Sequence, residues 1–309
     1  MSWLRPAILS IALGAVLVGM GWFATKPTLQ AEPSAPPAPR LIRRDEKPLE
    51  VTAEAVFITR LRTGEVLYQK NADVRLPIAS LTKLMTALVL AEESEPLREV
   101  VFSAAAKGVG DADSKRSAAA AGERFRAEDV EKMLLISSDN DAAYAVAEHV
   151  ALARRAELAE FKERINFFVG LMNERVRALG MADTHFANPA GFDDAANYST
   201  AADIVRLVAA ITAERPELWT FSRMSETFIF SISGGRYELV NTNPLLYEYP
   251  ALYGSKTGYE DEAKGALLIL YQLSRGELFA IVLLRSSDRF GDGSSSIRWL
   301  EGNFVIGSP

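Results

Sequence analysis

Ser80 and Lys83 stand three residues apart, in Ser80-Leu81-Thr82-Lys83, at the head of a run whose apolar residues Leu81, Leu84, Met85, Leu88 and Val89 fall at helical spacing. Three residues is just under one helical turn, so hydroxyl and amine lie on one face, within reach of each other. A serine hydroxyl is a poor nucleophile until a base takes its proton. Lysine is such a base only when partly neutral, and burial or a second cation such as Lys256 would favour the neutral form. Two further segments supply partners. Ser138-Asp139-Asn140 offers a hydroxyl that can relay a proton and an amide that can hold a lysine and a substrate amide. Lys256-Thr257-Gly258 offers a positive charge for a carboxylate, a hydroxyl, and a glycine that lets an extended peptide lie against a strand edge. Each segment alone is commonplace: a capping serine with a surface lysine, an Asx turn, a turn into a strand. Together, in this order and in helix-start, inter-helix and strand settings, they read as a nucleophile with its base, its relay and its carboxylate reader.

Composition narrows the chemistry. Of 309 residues, 49% are hydrophobic and 24% charged, which suits a soluble domain with an ample core. The net charge is -6 with the signs mixed, leaving no basic footprint for nucleic acid. Cysteine is absent, so thiol nucleophiles and Cys-based zinc sites are excluded. His149 and His185 are the only histidines, and there is no H-E-x-x-H; no metal or cofactor is implied. His149 is read as ending a helix and His185 as part of a Thr-His-Phe turn, both structural. Trp219, Tyr247 and Tyr249 fit a groove lining or simple packing equally well.

The elements that must position these residues divide the chain in three. Residues 1–25 hold the uncharged stretch from Pro6 to Thr25 behind Arg5, a signal peptide or an N-terminal membrane anchor. Residues 26–48 contain Pro27, Pro33, Pro36, Pro37, Pro39 and Pro48 and read as a stiff linker. Residues 49–309 read as the catalytic domain, facing away from the cytoplasm. Within it, AEAVFIT and EVLYQK flank Arg62-Thr63-Gly64 as a hairpin, and KGALLILYQL and ELFAIVLL flank Arg275-Gly276 as another. Helices are expected near 80–92, 127–136, 140–152, 155–179, 200–213 and 294–301, with the small-residue stretch 118–121 as a loop or helix start. Strands at both ends with helices between them argue an α+β fold, its antiparallel sheet joined from the two termini.

Longer blocks carry a family resemblance. TGEVLYQKNADVRLPIASLTKLMTALV (63–89), Gly122-Glu123 followed by MLLISSDNDAAYAVAEH, THFANPAGFDDAANYSTAADI (184–204) and YGSKTGYEDEAKGALL resemble blocks of the low-molecular-mass D-alanyl-D-alanine carboxypeptidases, the S11 peptidase family. The resemblance covers about Thr52 to Phe304. It implies the penicillin-binding/β-lactamase-like transpeptidase fold, an antiparallel sheet with helices on both faces. It implies Ser80 as nucleophile, Lys83 as base, and Ser138 with Asn140 as proton-transfer partners. Lys256 and Thr257, beside Gly258, would bind a terminal carboxylate, with the backbone N–H groups of Ser80 and Tyr259 as oxyanion hole. Arg289 is the closest match to the family's downstream arginine, and Arg285 is the reserve. The implied partners are peptidoglycan stem peptides, β-lactam antibiotics and the membrane, through the N-terminal segment. The implied activity is D-alanyl-D-alanine carboxypeptidase, with a crosslink-cutting DD-endopeptidase as the alternative, and a β-lactamase or an inactive wall-binding protein less favoured. Three departures stand out. Asp139 replaces the family's usual glycine, Tyr253 replaces an aspartate three residues before Lys256, and Ala151–Phe168 is longer and more charged, as an extended exposed helix with Glu160 and Arg164 one turn apart. The chain also stops after one domain, so the N-terminal segment is expected to take over anchoring.

No E-x-E-L-N glutamate follows Asn140 to activate a deacylating water. The adduct formed with a fluorescent penicillin should therefore decay slowly. Turnover at the rate of a β-lactamase would show that a deacylating base is present after all.

Overall fold

Strands at the two ends of the chain meet in one sheet. The computed structural model describes residues 39–45, 47–110 and 117–307. The signal or anchor segment 1–25 and most of the linker lie outside the described residues. The strands are β1 (Leu41–Arg43), β2 (Ala55–Arg60), β3 (Glu65–Lys70), β4 (Glu99–Val101), β5 (Arg124–Arg126), β6 (Glu226–Phe230), β7 (Arg236–Val240), β8 (Leu252–Glu260), β9 (Lys264–Gln272), β10 (Leu278–Ser286) and β11 (Phe304–Ile306). The helices are α1 (Thr82–Glu93), α2 (Ala104–Lys107), α3 (Ala127–Lys132), α4 (Asn140–Arg154), α5 (Phe161–Ala178), α6 (Ala201–Glu214), α7 (Glu217–Ser222) and α8 (Arg289–Asn303).

The main sheet runs β3-β2-β10-β9-β8, antiparallel throughout. Successive side chains of a strand point to opposite faces, so an unbroken apolar run feeds two cores. Leu268, Leu270, Ala280, Val282 and Leu284 face one core together with Leu84, Leu88, Val146 and Leu207 of the helical layer. Leu267, Ile269, Phe279, Ile281 and Leu283 face the other, covered by Ile297, Trp299 and Leu300 of α8. Helices on both faces explain why LLILY and FAIVLL carry no polar alternation. β8 is an edge strand, and its Lys256-Thr257-Gly258 pairs with Leu268, Leu267 and Ala266.

The start of the catalytic domain differs from the expected boundary at residue 49. Leu41–Arg43 pairs with Phe304–Ile306, Lys47 N–H donates to Asn303 Oδ1 at 3.0 Å, and the Trp299 indole donates to Lys47 O at 2.8 Å. The prolines misled here. They read as linker, but a strand pair needs only the N–H and C=O groups of residues 41–43 opposite a free edge. The expected helix 155–179 begins six residues later, at Phe161. α4 ends at Arg154, and α5 begins after Glu160, whose carboxylate and that of Glu163 form a reciprocal cap. The 151–168 segment is thus a helical hairpin rather than one exposed helix. Arg164 reaches across it to Glu148 Oε1 at 2.6 Å, not back to Glu160. Residues 118–121 lie in a loop that turns at Gly122, φ +89°. α7 and the β6–β7 hairpin were not foreseen.

Asp292 fastens Thr52 and Ala53, which lead into β2, to α8. Buried at 4% exposure, it accepts from Thr52 N at 2.8 Å, Thr52 Oγ1 at 2.8 Å, Ala53 N at 2.9 Å and Ser286 Oγ at 2.6 Å. Asp292→Ala leaves several donors unpaired. It should lower unfolding free energy by about 3 kcal/mol in a urea titration; a loss below about 1 kcal/mol would mean that water replaces the carboxylate.

Candidate active site

Ser80, the expected nucleophile, sits on strained backbone. Ala79–Leu81 is a single 3-10 turn leading directly into α1, so Ser80 precedes the helix that carries Lys83 rather than opening it. Ala79 enters that turn at φ 47°, a left-handed conformation that costs a non-glycine residue about 1–3 kcal/mol. Two glycines brace it. A Cβ on Gly191, itself at φ +92°, would stand 2.0 Å from Ala79 O and 3.0 Å from Ser80 N. A Cβ on Gly258 would stand 3.0 Å from Ala79 Cβ and 3.1 Å from Ser80 N. Backbone from β8 and from the 188–192 loop thus closes on the Ser80 N–H, an approach only glycine permits.

Lys83 is wholly buried. Its Nζ lies 2.8 Å from Ser80 Oγ, 2.7 Å from Asn140 Oδ1 and 2.6 Å from Ala190 O. The amide oxygen and the carbonyl can only accept, so they take two N–H bonds from the amine. The Ser80 hydroxyl can also donate, so a neutral Lys83 has its lone pair left for the serine proton. The loop that presents Ala190 O is folded by Asn188, whose Oδ1 accepts from Gly191 N at 2.7 Å and Phe192 N at 3.1 Å. Asn197 Nδ2 ties the same block to Thr82 Oγ1 at 3.2 Å.

Ser138 and Asn140 arrive by a second irregular stretch. After α3, Met133–Ser137 makes a π turn and Ser138 follows at φ 60°, ψ 40°. Asp139 then caps α4, its carboxylate accepting from Ala142 N at 2.9 Å, and this delivers Asn140 as the first helical residue. Burial pushes the Asp139 carboxyl up to about 6, with Asp141 adding to the shift while the Ala142 N–H and the Lys83 charge oppose it. An aspartate in the place of a glycine thus serves as the helix cap of α4.

Lys256, 1% exposed, donates from Nζ to Ser138 Oγ at 2.7 Å and to Thr257 O at 2.9 Å. The Thr257 hydroxyl lies 2.6 Å from that of Thr242. The three short motifs converge in a trio, Ser80–Lys83–Asn140, and a pair, Ser138–Lys256. Tyr259 is 55% exposed at the end of β8, and the Arg289 guanidinium stands 5.4 Å from its ring centre and 4.5 Å from that of Phe290. Arg289 Nε is buried with no hydrogen-bond partner, and burial disfavours its charged form against the pull of Tyr259 and Asp288. Arg285, at φ 53°, is held elsewhere, by Glu54 Oε2 and Glu262 O, both at 3.4 Å.

Sequence reasoning missed Gly191, Asn188, Ala190 and Thr242. The Asn-Pro-Ala-Gly turn signal was visible, but the need for its carbonyl arises only once the loop meets Lys83. Tyr253 packs partly buried against the helical core. Trp219 is buried and donates to Thr212 Oγ1, Tyr249 bonds Ser294, and Tyr247 is 65% exposed. His149 does not end its helix: α4 continues to Arg154, and Nε2 pairs with Ser94 Oγ at 3.1 Å. His185 Nδ1 meets Ala196 O at 2.7 Å.

A profile of the D-alanyl-D-alanine carboxypeptidase family, peptidase S11, matches residues 42–286. A D-alanyl-D-alanine endopeptidase of Pseudomonas aeruginosa is 31% identical over 264 residues, 84% of this chain and 81% of its own. The D-alanyl-D-alanine carboxypeptidase DacF of Bacillus subtilis is 31% identical over 74% of this chain, which spans only 56% of that relative. Among solved structures, the Streptomyces K15 DD-transpeptidase superposes with a TM-score of 0.75 at 26% identity, covering 82% of this chain and 98% of its own.

Adding a methyl group at the Gly258 position tests the close approach to Ser80. Gly258→Ala should keep the fold by circular dichroism yet slow acylation by penicillin at least about a hundredfold, the usual cost of disturbing an oxyanion donor. Acylation at the parent rate would show that β8 does not frame the nucleophile.

Proposed function

The chain belongs to the D-alanyl-D-alanine carboxypeptidase family, peptidase S11, and on that premise we propose that it is a serine D-alanyl-D-alanine carboxypeptidase trimming peptidoglycan stem peptides through an acyl-enzyme on Ser80. Ser80 Oγ bonds the carbonyl carbon of the penultimate D-alanine while Lys83 Nζ takes the hydroxyl proton. The N–H groups of Ser80 and Tyr259 receive the oxyanion. The carbon–nitrogen bond then breaks, and Ser138 relays a proton to the departing D-alanine amine. Water cleaves the ester and returns Ser80 to its starting state. The observation that carries this reading is the position of Lys83 Nζ, 2.8 Å from Ser80 Oγ with two obligate acceptors on its other side. Lys256, Thr257 and Arg289 bind the terminal carboxylate, lysine as a point charge and arginine as a fork of donors. A β-lactam enters as the same kind of acyl donor.

The enzyme works outside the cytoplasm, where its substrate lies, and residues 1–25 tether it or direct its export. Among the described residues no helix is long and apolar enough to cross a membrane. A second reading, cleavage of crosslinks, is favoured by one observation. Two relatives are named D-alanyl-D-alanine endopeptidases, that of Pseudomonas aeruginosa at 31% identity and that of Escherichia coli at 28%.

Chromatography of products from a pentapeptide and a crosslinked muropeptide separates the two readings. Release of D-alanine from the pentapeptide at the higher kcat/KM is expected; cleavage of the crosslink alone would make the chain an endopeptidase. On the pentapeptide, Arg289→Ala should lose at least about thirtyfold in kcat/KM, and much less on its C-terminal amide, whereas Arg285→Ala should spare both. Equal losses on free and amidated ends would remove Arg289 from the carboxylate site.

A further inference from the structure

Asn241-Thr242-Asn243 joins β7 to a 3-10 turn, Pro244–Tyr247, and borders the proposed carboxylate site with no part in the chemistry assigned to it so far. Its two asparagines fix the backbone. Asn241 Nδ2 donates to Ser222 O at 2.9 Å and Met224 O at 2.8 Å, and Asn241 Oδ1 accepts from Asn243 N at 2.9 Å. Asn243 Oδ1 accepts from Leu245 N at 3.1 Å, at the head of the next turn. Between them, Thr242 N donates to Ile136 O at 3.1 Å, inside the π turn that leads to Ser138. The backbone is thus pinned on both sides of Thr242, whose β-branched side chain has few rotamers to choose from. Among the described residues its hydroxyl has one hydrogen-bond partner, Thr257 Oγ1 at 2.6 Å.

Thr257 is buried on β8, and among the described residues its hydroxyl has no hydrogen-bond partner besides Thr242. Each hydroxyl carries one proton, so within the pair one donates and the other accepts. The two directions differ for an arriving ligand. If Thr257 donates to Thr242, it turns only lone pairs toward a carboxylate, which is itself acceptor-only when ionised, and the oxygens repel. If Thr242 donates, the Thr257 proton stays available, and the bond it makes to a carboxylate is charge-assisted. Donation from behind also polarises the Thr257 hydroxyl and strengthens it as a donor.

We propose that Thr242 is a positioning residue for substrate binding: it donates to Thr257 Oγ1 and so reserves the Thr257 proton for the free carboxylate of a peptide ending in D-alanine. The assignment rests on the carboxypeptidase reading given above. Thr242 touches no reacting atom and acts only through Thr257. The carboxylate is present in the bound peptide and in the transition state alike, so the contribution is to binding, and its loss raises KM while sparing kcat. A C-terminal amide behaves differently. Its NH2 group donates where a carboxylate cannot, so either direction of the hydroxyl pair satisfies it. The loss is therefore confined to free-ended substrates.

Steady-state kinetics of the full chain on a pentapeptide and on its C-terminal amide test the assignment with Thr242→Val, which keeps the side chain's shape and removes the hydroxyl. KM for the free-ended peptide should rise at least about fivefold, with kcat within about twofold of the parent. On the amide, kcat/KM should stay within about twofold. Thr242→Ser keeps the hydroxyl and should bring KM back to within about twofold of the parent. In a Thr257→Val background there is no proton left to orient, so adding Thr242→Val should raise KM no further. Thr242→Ala, which adds no volume, takes the place of the valine variant if that one does not fold. Equal losses on both substrates, no recovery with serine, an unaltered KM in folded Thr242→Val, or additive losses in the double variant would each overturn the assignment while the parent still releases D-alanine. A parent that releases none from the pentapeptide would overturn the carboxypeptidase reading and this assignment with it.

Discussion

One buried amine organises this molecule. Lys83 is fully enclosed, and its Nζ is fixed by oxygens from Ser80 beside it and from two distant parts of the chain, Asn140 at the head of α4 and Ala190 in the 188–192 loop. An amine withdrawn from water is expensive, and only a full set of short hydrogen bonds offsets that cost. Each contributing segment must therefore stop at a defined place. α1 points the lysine inward, α4 begins where its cap Asp139 puts Asn140, and Asn188 folds the loop that turns Ala190 O toward the amine.

The cost of this arrangement is stored in the backbone. Ala79 and Ser138 both sit at positive φ without being glycine, Gly191 takes φ +92°, and a π turn precedes Ser138. Such conformations persist only where the surroundings over-determine them. Here the surroundings are a five-stranded sheet buried on both faces, which holds Lys256 on its edge strand while Lys256 in turn fixes the Ser138 hydroxyl. The rigid sheet and the strained turns are two halves of one device: the first supplies stability, and the second places a hydroxyl, an amine and a cation together.

Most of this was legible in the sequence, for reasons that differ by residue. Helical spacing put Lys83 on the face of Ser80, and the apolar runs on either side of Arg275-Gly276 marked β9 and β10 as a hairpin. The three motifs were each local, so their spacing survived the reading. What escaped depended on distant partners. The pairing of Leu41–Arg43 with Phe304–Ile306 is invisible in a proline-rich stretch until the far end of the chain arrives. The break at residues 155–160 was hidden because charged residues continue a helical pattern at no local cost, while Arg164 gains a buried partner only in Glu148. Ala190 contributes a carbonyl, and no side-chain pattern can announce a backbone atom.

The central claim is that the Lys83 amine makes Ser80, and no other hydroxyl, the nucleophile. The most direct measurement is tandem mass spectrometry of the tryptic peptide that carries Ser80 after brief exposure to penicillin, Leu76–Lys83 from the parent chain and Leu76–Arg98 from Lys83→Met. The account predicts one penicilloyl group on Ser80 in the parent and a loss of at least about a hundredfold in labelling rate in the variant. A label on Thr82 or on another peptide, or labelling of Ser80 at the parent rate without the amine, would contradict it.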